Sequence, residues 1–314
     1  MSNIRMRVDR ISYSARDINL YSFKPVDGGL LPQVEAGAHV DLFLRPDLVR
    51  QYSLLRPGKT PEAYVVGIKK ESAGRGGSRY VHEQLRVGDV IDVGQPRNNF
   101  PLVEDADHSV LIAGGIGITP IWAMAQRLDA LGRPWRMYVS ARSREDCALL
   151  DEIGGHPNVV LHFDDENPGR FMDLAAAVAE APEGAHFYSC GPAPMLAAYR
   201  EATSHLPAAQ VHDEAFSIAP PAAGEGSDFR VRLAQSGQEI EVPADRSILD
   251  TLRDQGFMPM SSCEAGVCGM CETRVLEGEV DHRDHVLSPD EQASHSRMMI
   301  CCSRARSALL VLDL

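Results

Sequence analysis

Cys263-Glu-Ala-Gly-Val-Cys268-Gly-Met-Cys271, with Cys301 following after 29 further residues, carries the most specific pattern in the chain. The spacing C-x4-C-x2-C-x29-C is that of four thiolates wrapped around a 2Fe–2S cluster. Three ligands from one short loop converge only where the backbone turns tightly, and Gly266 and Gly269 supply the dihedrals for it. The N–H groups of such a loop can point at sulfur, which raises the cluster's potential. A zinc ribbon would instead pair one C-x2-C with a second. Such a cluster moves one electron at a time, so the segments before it are expected to load it with electrons.

Cys302 stands beside the fourth ligand. On a strand, adjacent side chains leave on opposite faces, so only one of the two can reach the cluster, and the spacing selects Cys301. Five of the seven cysteines fall within residues 263–302, a crowding that reads as metal binding rather than a disulfide framework. Residues 1–20 carry charges throughout and no apolar core of a signal peptide, and no apolar run approaches a membrane span, so the cytoplasm is the expected compartment. A net charge of −13 argues against nucleic acid. From Asp228 onward there are fifteen acids against nine arginines and no lysine, an acidic module suited to a basic partner surface or simply to solubility.

Working outward, residues 228–314 form the cluster domain. Residues 229–233 and 239–242 predict a hairpin with Ser236-Gly237 in its turn, followed by a helix over 247–255 capped by Ser247. Residues 217–227, rich in Pro, Ala and Gly, read as a linker. Over 104–216 strands and helices alternate: strand 109–113, helix 118–131, strands 135–140 and 159–163, helix 171–179, strand 186–190 and helix 195–204. Such alternation predicts a doubly wound parallel sheet. Residues 1–103 hold short strands at 6–13, 19–24, 39–44, 51–55, 64–70 and 90–93 and one helix near 78–85, the pattern of a β-barrel.

Gly114-Gly115-Ile-Gly117-Ile-Thr119-Pro120 follows the strand at 109–113 and opens a helix. Glycines there let backbone approach a phosphate, Thr119 can cap the helix and Pro120 fits its first turn, while the helix dipole favours a pyrophosphate. Ser189-Cys190-Gly191-Pro192 ends a later strand of the same sheet, at the edge where such sheets bind ligands, which makes Cys190 a candidate neighbour of a nicotinamide. In the barrel region Arg50-Gln51-Tyr52-Ser53 offers a cation, a flat ring and a small hydrogen bonder, a set that a cross-strand pair would also explain. Gly74-Arg75-Gly76-Gly77-Ser78 is a second glycine loop at a helix start, suited to one phosphate or to a plain surface turn.

Taken in order, RQYS at 50–53, GRGGS at 74–78, GQPRNNFPL at 94–102, GGIGITP at 114–120, SCGP at 189–192 and the cysteine set resemble one family along essentially the whole chain. It is the phthalate dioxygenase reductase and vanillate demethylase reductase group of the ferredoxin–NADP reductase superfamily, and MMICCSRA at 298–305 leans toward the vanillate branch. The resemblance implies an antiparallel flavin-binding β-barrel, a doubly wound parallel α/β NAD domain and a C-terminal β-grasp domain with a plant-type 2Fe–2S cluster. It implies FMN rather than FAD. Arg50, Gln51, Tyr52 and Ser53 would hold the isoalloxazine, with Ser53 near the nitrogen that accepts hydride, and Arg75, Gly76, Gly77 and Ser78 would bind the FMN phosphate. Gly114, Gly115, Gly117, Thr119, Pro120, Cys190, Gly191 and Pro192 would line the NADH site. Glu214 and Phe216 match an end-of-domain segment that often reaches the flavin in relatives.

The implied activity is an NADH-dependent reductase passing electrons from NADH through FMN and the 2Fe–2S cluster to a separate terminal oxygenase of the Rieske, non-haem iron type. NADH yields two electrons together while the cluster accepts one, and a flavin converts between them. The chain has no Rieske pattern of its own, so oxygen chemistry must lie elsewhere. A reductase for a di-iron monooxygenase is the alternative, although there the ferredoxin module usually precedes the barrel; a redox sensor is the reading from another class. No general base is needed, and His39, His82, His282 and His285 are expected to be loop or packing residues. Ala141-Arg142-Ser143-Arg144, after the strand at 135–140, has no acid to grip a ribose 2′-hydroxyl, and its arginines permit NADPH; the resemblance favours NADH.

Overall fold

The computed structural model describes residues 3–45, 48–72, 76–216 and 227–314. Arg75 and most of the expected linker lie outside the described residues. The chain divides into two compact units, Met1–Phe216 and Ser217–Leu314. Among the described residues no helix is long and apolar enough to cross a membrane.

The first unit opens with β1 (Ile4–Ala15), β2 (Ile18–Pro25), β3 (His39–Arg45), β4 (Leu48–Ser53), β5 (Tyr64–Lys69), α1 (Gly77–Gln84) and β6 (Val90–Val93). These strands order as β4-β3-β6-β1-β2-β5, and the ends meet where Leu54 bridges Val66 and Leu55 N–H donates to Val65 O at 2.8 Å. The two ends of the sheet are thus drawn together at one side, which curls it into a barrel. Alternation drives it: Met6 and Val8 on β1 and Val40, Leu42 and Leu44 on β3 turn inward into one core with Tyr21, Phe23, Val66 and Ile68.

The same unit continues with β7 (Ser109–Gly114), α2 (Ile118–Leu131), β8 (Trp135–Ala141), α3 (Leu150–Ile153), β9 (Val159–Phe163), α4 (Leu174–Ala179), β10 (His186–Cys190), α5 (Ala193–Thr203) and β11 (Val211–Glu214). All five strands run parallel in the order β11-β10-β7-β8-β9. Central β7 is buried at every residue, as a strand covered on both faces must be. Its core extends into the barrel, joining Leu111, Ile118 and Trp122 to Ala15, Ile18, Leu55 and Phe100. The expected helix over 171–179 starts only at Leu174, because Asp173 caps it by accepting from Ala176 N–H and Phe171 stays exposed. Edge strand β11 was not among the expected elements, since Val-His-Asp-Glu has no alternating apolar pattern and is held by pairing with β10.

The second unit holds β12 (Phe229–Leu233), β13 (Glu239–Val242), α6 (Ile248–Asp254), β14 (Glu272–Glu277), β15 (Val280–Asp281), α7 (Pro289–Ala293), β16 (Arg297–Met299), β17 (Arg304–Ala305) and β18 (Leu309–Leu312). The mixed sheet β13-β12-β18-β14-β16 packs Ile248, Leu249 and Leu252 of α6 against Val231, Leu310 and Leu312, a β-grasp. Ser247 caps α6 by accepting from Asp250 N–H at 3.0 Å, as the sequence predicts. Arg304, nearly buried, ties the unit together through the carbonyls of Arg246, Pro243 and Ser227 while stacking on Phe229.

Candidate functional site

The cysteine loop follows α6. N–H groups of Ala265 and Val267 donate to Cys263 Sγ at 3.4 and 3.3 Å, and those of Cys263 and Met270 donate to Cys268 Sγ at 3.4 and 3.5 Å. Sulfur that accepts two backbone donors is prepared to carry negative charge, which is what a cluster ligand must do. Contact with Cys263 pulls the Cys268 thiol down to about 7 and holds Cys301 below its ordinary value, with Cys271 and Cys302 adding to the effect on Cys301. Among the described residues no three His, Cys, Asp or Glu side chains gather tightly enough for a single metal ion. A two-iron cluster shares four thiolates between its metals and takes a wider cage, so the thiol-to-thiol contacts of Cys301 with Cys263 and Cys271 and the sulfur-directed N–H groups fit it.

Cys301 and Cys302 lie in the turn after β16 rather than on a strand, so strand alternation does not separate them. Cys302 touches Cys301 but is otherwise engaged elsewhere: its Sγ lies toward Met299 O and Ser303 Oγ, and a Cβ on Gly266 would come within 2.5 Å of it. Cys301, the candidate chosen by spacing, is the one whose thiol contacts both Cys263 and Cys271. The sequence reading missed the support beneath this loop. Asp284, nearly inaccessible, accepts from Val286 N–H, Leu287 N–H and Ser303 Oγ at 3.2, 2.9 and 3.3 Å, and His285 N–H donates to Gly266 O at 2.9 Å. His282 is buried beside Asp284 and stacks on His295, a packing role as expected.

In the first unit the fold joins two motifs that lie far apart in sequence. Gly77, at the start of α1, sits against Arg50 of β4; a Cβ there would be 2.8 Å from Arg50 Cδ. The α1 terminus follows Gly76 in the left-handed region and, among the described residues, has no side-chain cap and no acid in its first turn, so the positive end of the helix dipole is not offset there. Ser78 Oγ accepts from Glu71 N–H at 3.0 Å, closing the loop and leaving its own proton to donate. Beside Arg50, Tyr52 leans on the barrel core and Ser53 is buried. Across the ladder Ser53 faces His39 and Gln51 faces Asp41. Asp41, sealed from solvent, takes Arg97 at 2.7 Å; burial pushes its carboxyl upward against that partner's pull. Burial and the nearby Arg97 charge drive His39 down to about 3, so it is neutral packing beside the strand. This cradle, an uncapped helix start beside a cation and a half-buried ring, fits a flavin mononucleotide.

The strand tips of the parallel sheet meet in the same region. Glycines at 114–120 do two jobs. A Cβ on Gly117 would run into the Cys190 carbonyl and lie 2.9 Å from Gly191 N, and one on Gly114 would be 2.7 Å from Pro192 Cδ, so both serve tight packing of the two motifs. Gly115 alone, at φ +54°, faces open space and leaves room for a phosphate. Thr119 is not the cap: α2 begins at Ile118, and Thr119 Oγ1 donates back to Ile116 O at 3.0 Å. Its methyl meets the barrel, because a Cβ on Gly67 of β5 would be 2.7 Å from Thr119 Cγ2. That glycine, unremarked in the sequence, lets the barrel lie directly on the nucleotide turn. Pro120 is buried in the first turn of α2, and Phe216 is partly exposed at the end of the unit.

Cys190 is wholly buried, and Glu214 pairs with it across β10 and β11. Burial, then the charges of Glu214 and Asp213, push its thiol well up, which keeps it neutral. Glu214 Oε2 is sealed with no hydrogen-bond partner among the described residues, and burial pushes this carboxyl from 4.5 up to about 8. The folded chain therefore keeps a proton that the unfolded chain has lost between those values, and stability falls as pH rises through that window by at most about 1.4 kcal/mol per unit. Glu214→Gln is expected to equal the parent at pH 5 and exceed it in denaturant midpoint at pH 9; parallel profiles at both pH values would remove the buried-acid assignment.

Comparison with known proteins agrees with this geometry. The family models for the oxidoreductase NAD-binding domain and for the 2Fe-2S iron-sulfur cluster binding domain match residues 111–201 and 231–306. Fold and site together define an oxidoreductase joining a pyridine-nucleotide domain to an iron–sulfur domain. Phenoxybenzoate dioxygenase subunit beta of Ectopseudomonas oleovorans is 50% identical over 100% of this chain and 98% of its own. Tetrachlorobenzoquinone reductase of Sphingobium chlorophenolicum is 47% identical over 100% and 99%. The solved structure of phthalate dioxygenase reductase, described as a modular structure for electron transfer from pyridine nucleotides to [2Fe-2S], superposes with a TM-score of 0.77 at 39% identity, covering 100% of this chain and 98% of that one. The chain belongs to the phthalate dioxygenase reductase family.

Proposed function

We infer that this chain is the NADH-dependent reductase of a two-component oxygenase system, delivering single electrons to a separate Rieske-type, non-haem iron oxygenase that hydroxylates or demethylates aromatic compounds. The observation that carries the reading is the contact of Gly67 with Thr119, which sets the candidate flavin barrel against the nucleotide turn in a chain that also carries a four-thiol cage. When bound, FMN and the 2Fe–2S cluster supply the conversion of a hydride's electron pair into single electrons. The chain's own part is placement. The α1 terminus and Arg50 hold an anion, Tyr52 and Ser53 present a flat ring and a hydroxyl, and the Gly115 turn receives a pyrophosphate at the start of α2. Neutral Cys190 and protonated Glu214 fill the floor between strand tips without adding charge there. A location in the cytoplasm belongs to the same reading.

Anaerobic titration of the holoprotein with NADH tests it. About one and a half equivalents of NADH, three electrons for a two-electron flavin and a one-electron cluster, are expected to bleach the flavin absorbance and raise a 2Fe–2S electron paramagnetic signal, with reoxidation by a Rieske oxygenase. A second reading is favoured by the 47% identity to a quinone reductase: direct reduction of a quinone. Fast reoxidation by quinone with none by any oxygenase would replace the first reading with the second.

A further inference from the structure

The arginines after β8 left coenzyme choice open, and the tertiary structure bears on it. The tip of β8 lies next to the tip of β7, which carries the glycine turn, and in a doubly wound sheet that neighbouring tip receives the adenosine ribose. Arg144 would be the natural cation for a 2′-phosphate there, but its fork is taken. Its Nε donates to Glu166 Oε1 at 2.6 Å and its Nη2 to Oε2 at 3.3 Å, while the guanidinium lies 4.7 Å from the centre of the Phe163 ring. Glu166 arrives from the tip of β9, and the backbone registers that tip against β8: Asp164 N–H donates to Ala141 O at 3.1 Å and Asp165 N–H to Arg142 O at 3.0 Å. Three consecutive acids, Asp164 to Glu166, therefore run alongside two arginines. A lone surface ion pair contributes little. This one is held at two points and seated on an aromatic face, which fixes where the guanidinium points.

We propose that Glu166 is the residue that sets coenzyme choice: it occupies the Arg144 fork and, with its two acidic neighbours, makes the ribose edge of the site favour a free 2′-hydroxyl and reject a 2′-phosphate. The proposal rests on the reading of residues 114–120 as the nucleotide turn. Acid is thus supplied to the Arg144 fork from the neighbouring strand, whereas Arg142, Ser143 and Arg144, the first residues after β8, carry none.

The test compares the flavin- and cluster-loaded parent with Glu166→Gln, Glu166→Ala and the double variant Glu166→Ala/Arg144→Ala. Calorimetric binding of adenosine 2′,5′-bisphosphate and of 5′-AMP is measured beside the NADPH-to-NADH ratio of kcat/KM. Both side chains are largely exposed, so folding is not at stake. Glu166→Ala is expected to shift binding toward the 2′-phosphorylated ligand by about tenfold or more, with Glu166→Gln showing a smaller shift in the same direction. Adding Arg144→Ala is expected to erase the gain. An unchanged ligand ratio in Glu166→Ala, with 5′-AMP still bound, overturns the proposal alone. A parent that binds neither ligand and oxidises neither coenzyme overturns the nucleotide-turn reading beneath it.

Discussion

Replacing Cys271 with serine is expected to cut NADH-dependent reduction of cytochrome c by at least ~100-fold while NADH continues to bleach the flavin band. Cys271 is nearly buried, and its thiol touches Cys301, the candidate ligand delivered from the turn after β16. A serine hydroxyl keeps the volume but not the soft, readily ionised sulfur that iron–sulfur clusters require. The loss should be confined to the second unit, because the candidate flavin and nucleotide residues all lie in the first. Visible absorbance, iron and sulfide content and stopped-flow reduction by NADH check it together. Cytochrome reduction at parental rates would show that electrons leave from the flavin, and the role assigned to the cysteine cage would fall.

The second large effect is expected from Gly117→Ala. A methyl group there collides with the Cys190 carbonyl and the Gly191 backbone, neither of which can rotate away as a side chain would. Overpacking of this kind typically costs about 1–3 kcal/mol, and here the strand tips that shape the nucleotide site must part to relieve it. NADH affinity, followed by flavin bleaching, is expected to fall by about 100-fold or more, with a lower melting temperature for the first unit. Gly115→Ala is the control for the melting temperature only, since a methyl group there would enter the space left for the phosphate. Its Cβ meets no protein atom, so its cost to folding is limited to about 1–2 kcal/mol for a left-handed backbone. Equal losses of melting temperature at the two positions would mean that the Gly117 collision is absorbed and that only the backbone dihedral matters.

Much of the site was legible because ligand spacing and glycine turns are local. The cysteine run states its own chemistry, and strand–glycine–helix order places residues 114–120 at a strand tip whatever else the chain does. Other readings failed where a neighbour intervened. Thr119 looked like a helix cap, yet the helix starts one residue earlier and its hydroxyl turns back to Ile116. Strand alternation was expected to let only one of Cys301 and Cys302 reach the cluster, with spacing choosing Cys301, but both stand in a turn. Strand β11 has no apolar alternation and exists because β10 offers an open edge.

By itself the sequence determined the succession of antiparallel barrel, parallel sheet and iron–sulfur domain and the family, and it offered a candidate 2Fe–2S ligand set, since each rests on residues close in the chain or on motifs in fixed succession. Only the tertiary structure decided that Gly77 meets Arg50, that Gly67 admits the barrel to the nucleotide turn, that Asp284 underpins the cysteine loop and that Glu166 occupies Arg144. Those pairings join residues between 18 and 52 positions apart. Strand order and crossing backbones bring them together, and no local periodicity encodes which strand tip will lie beside which.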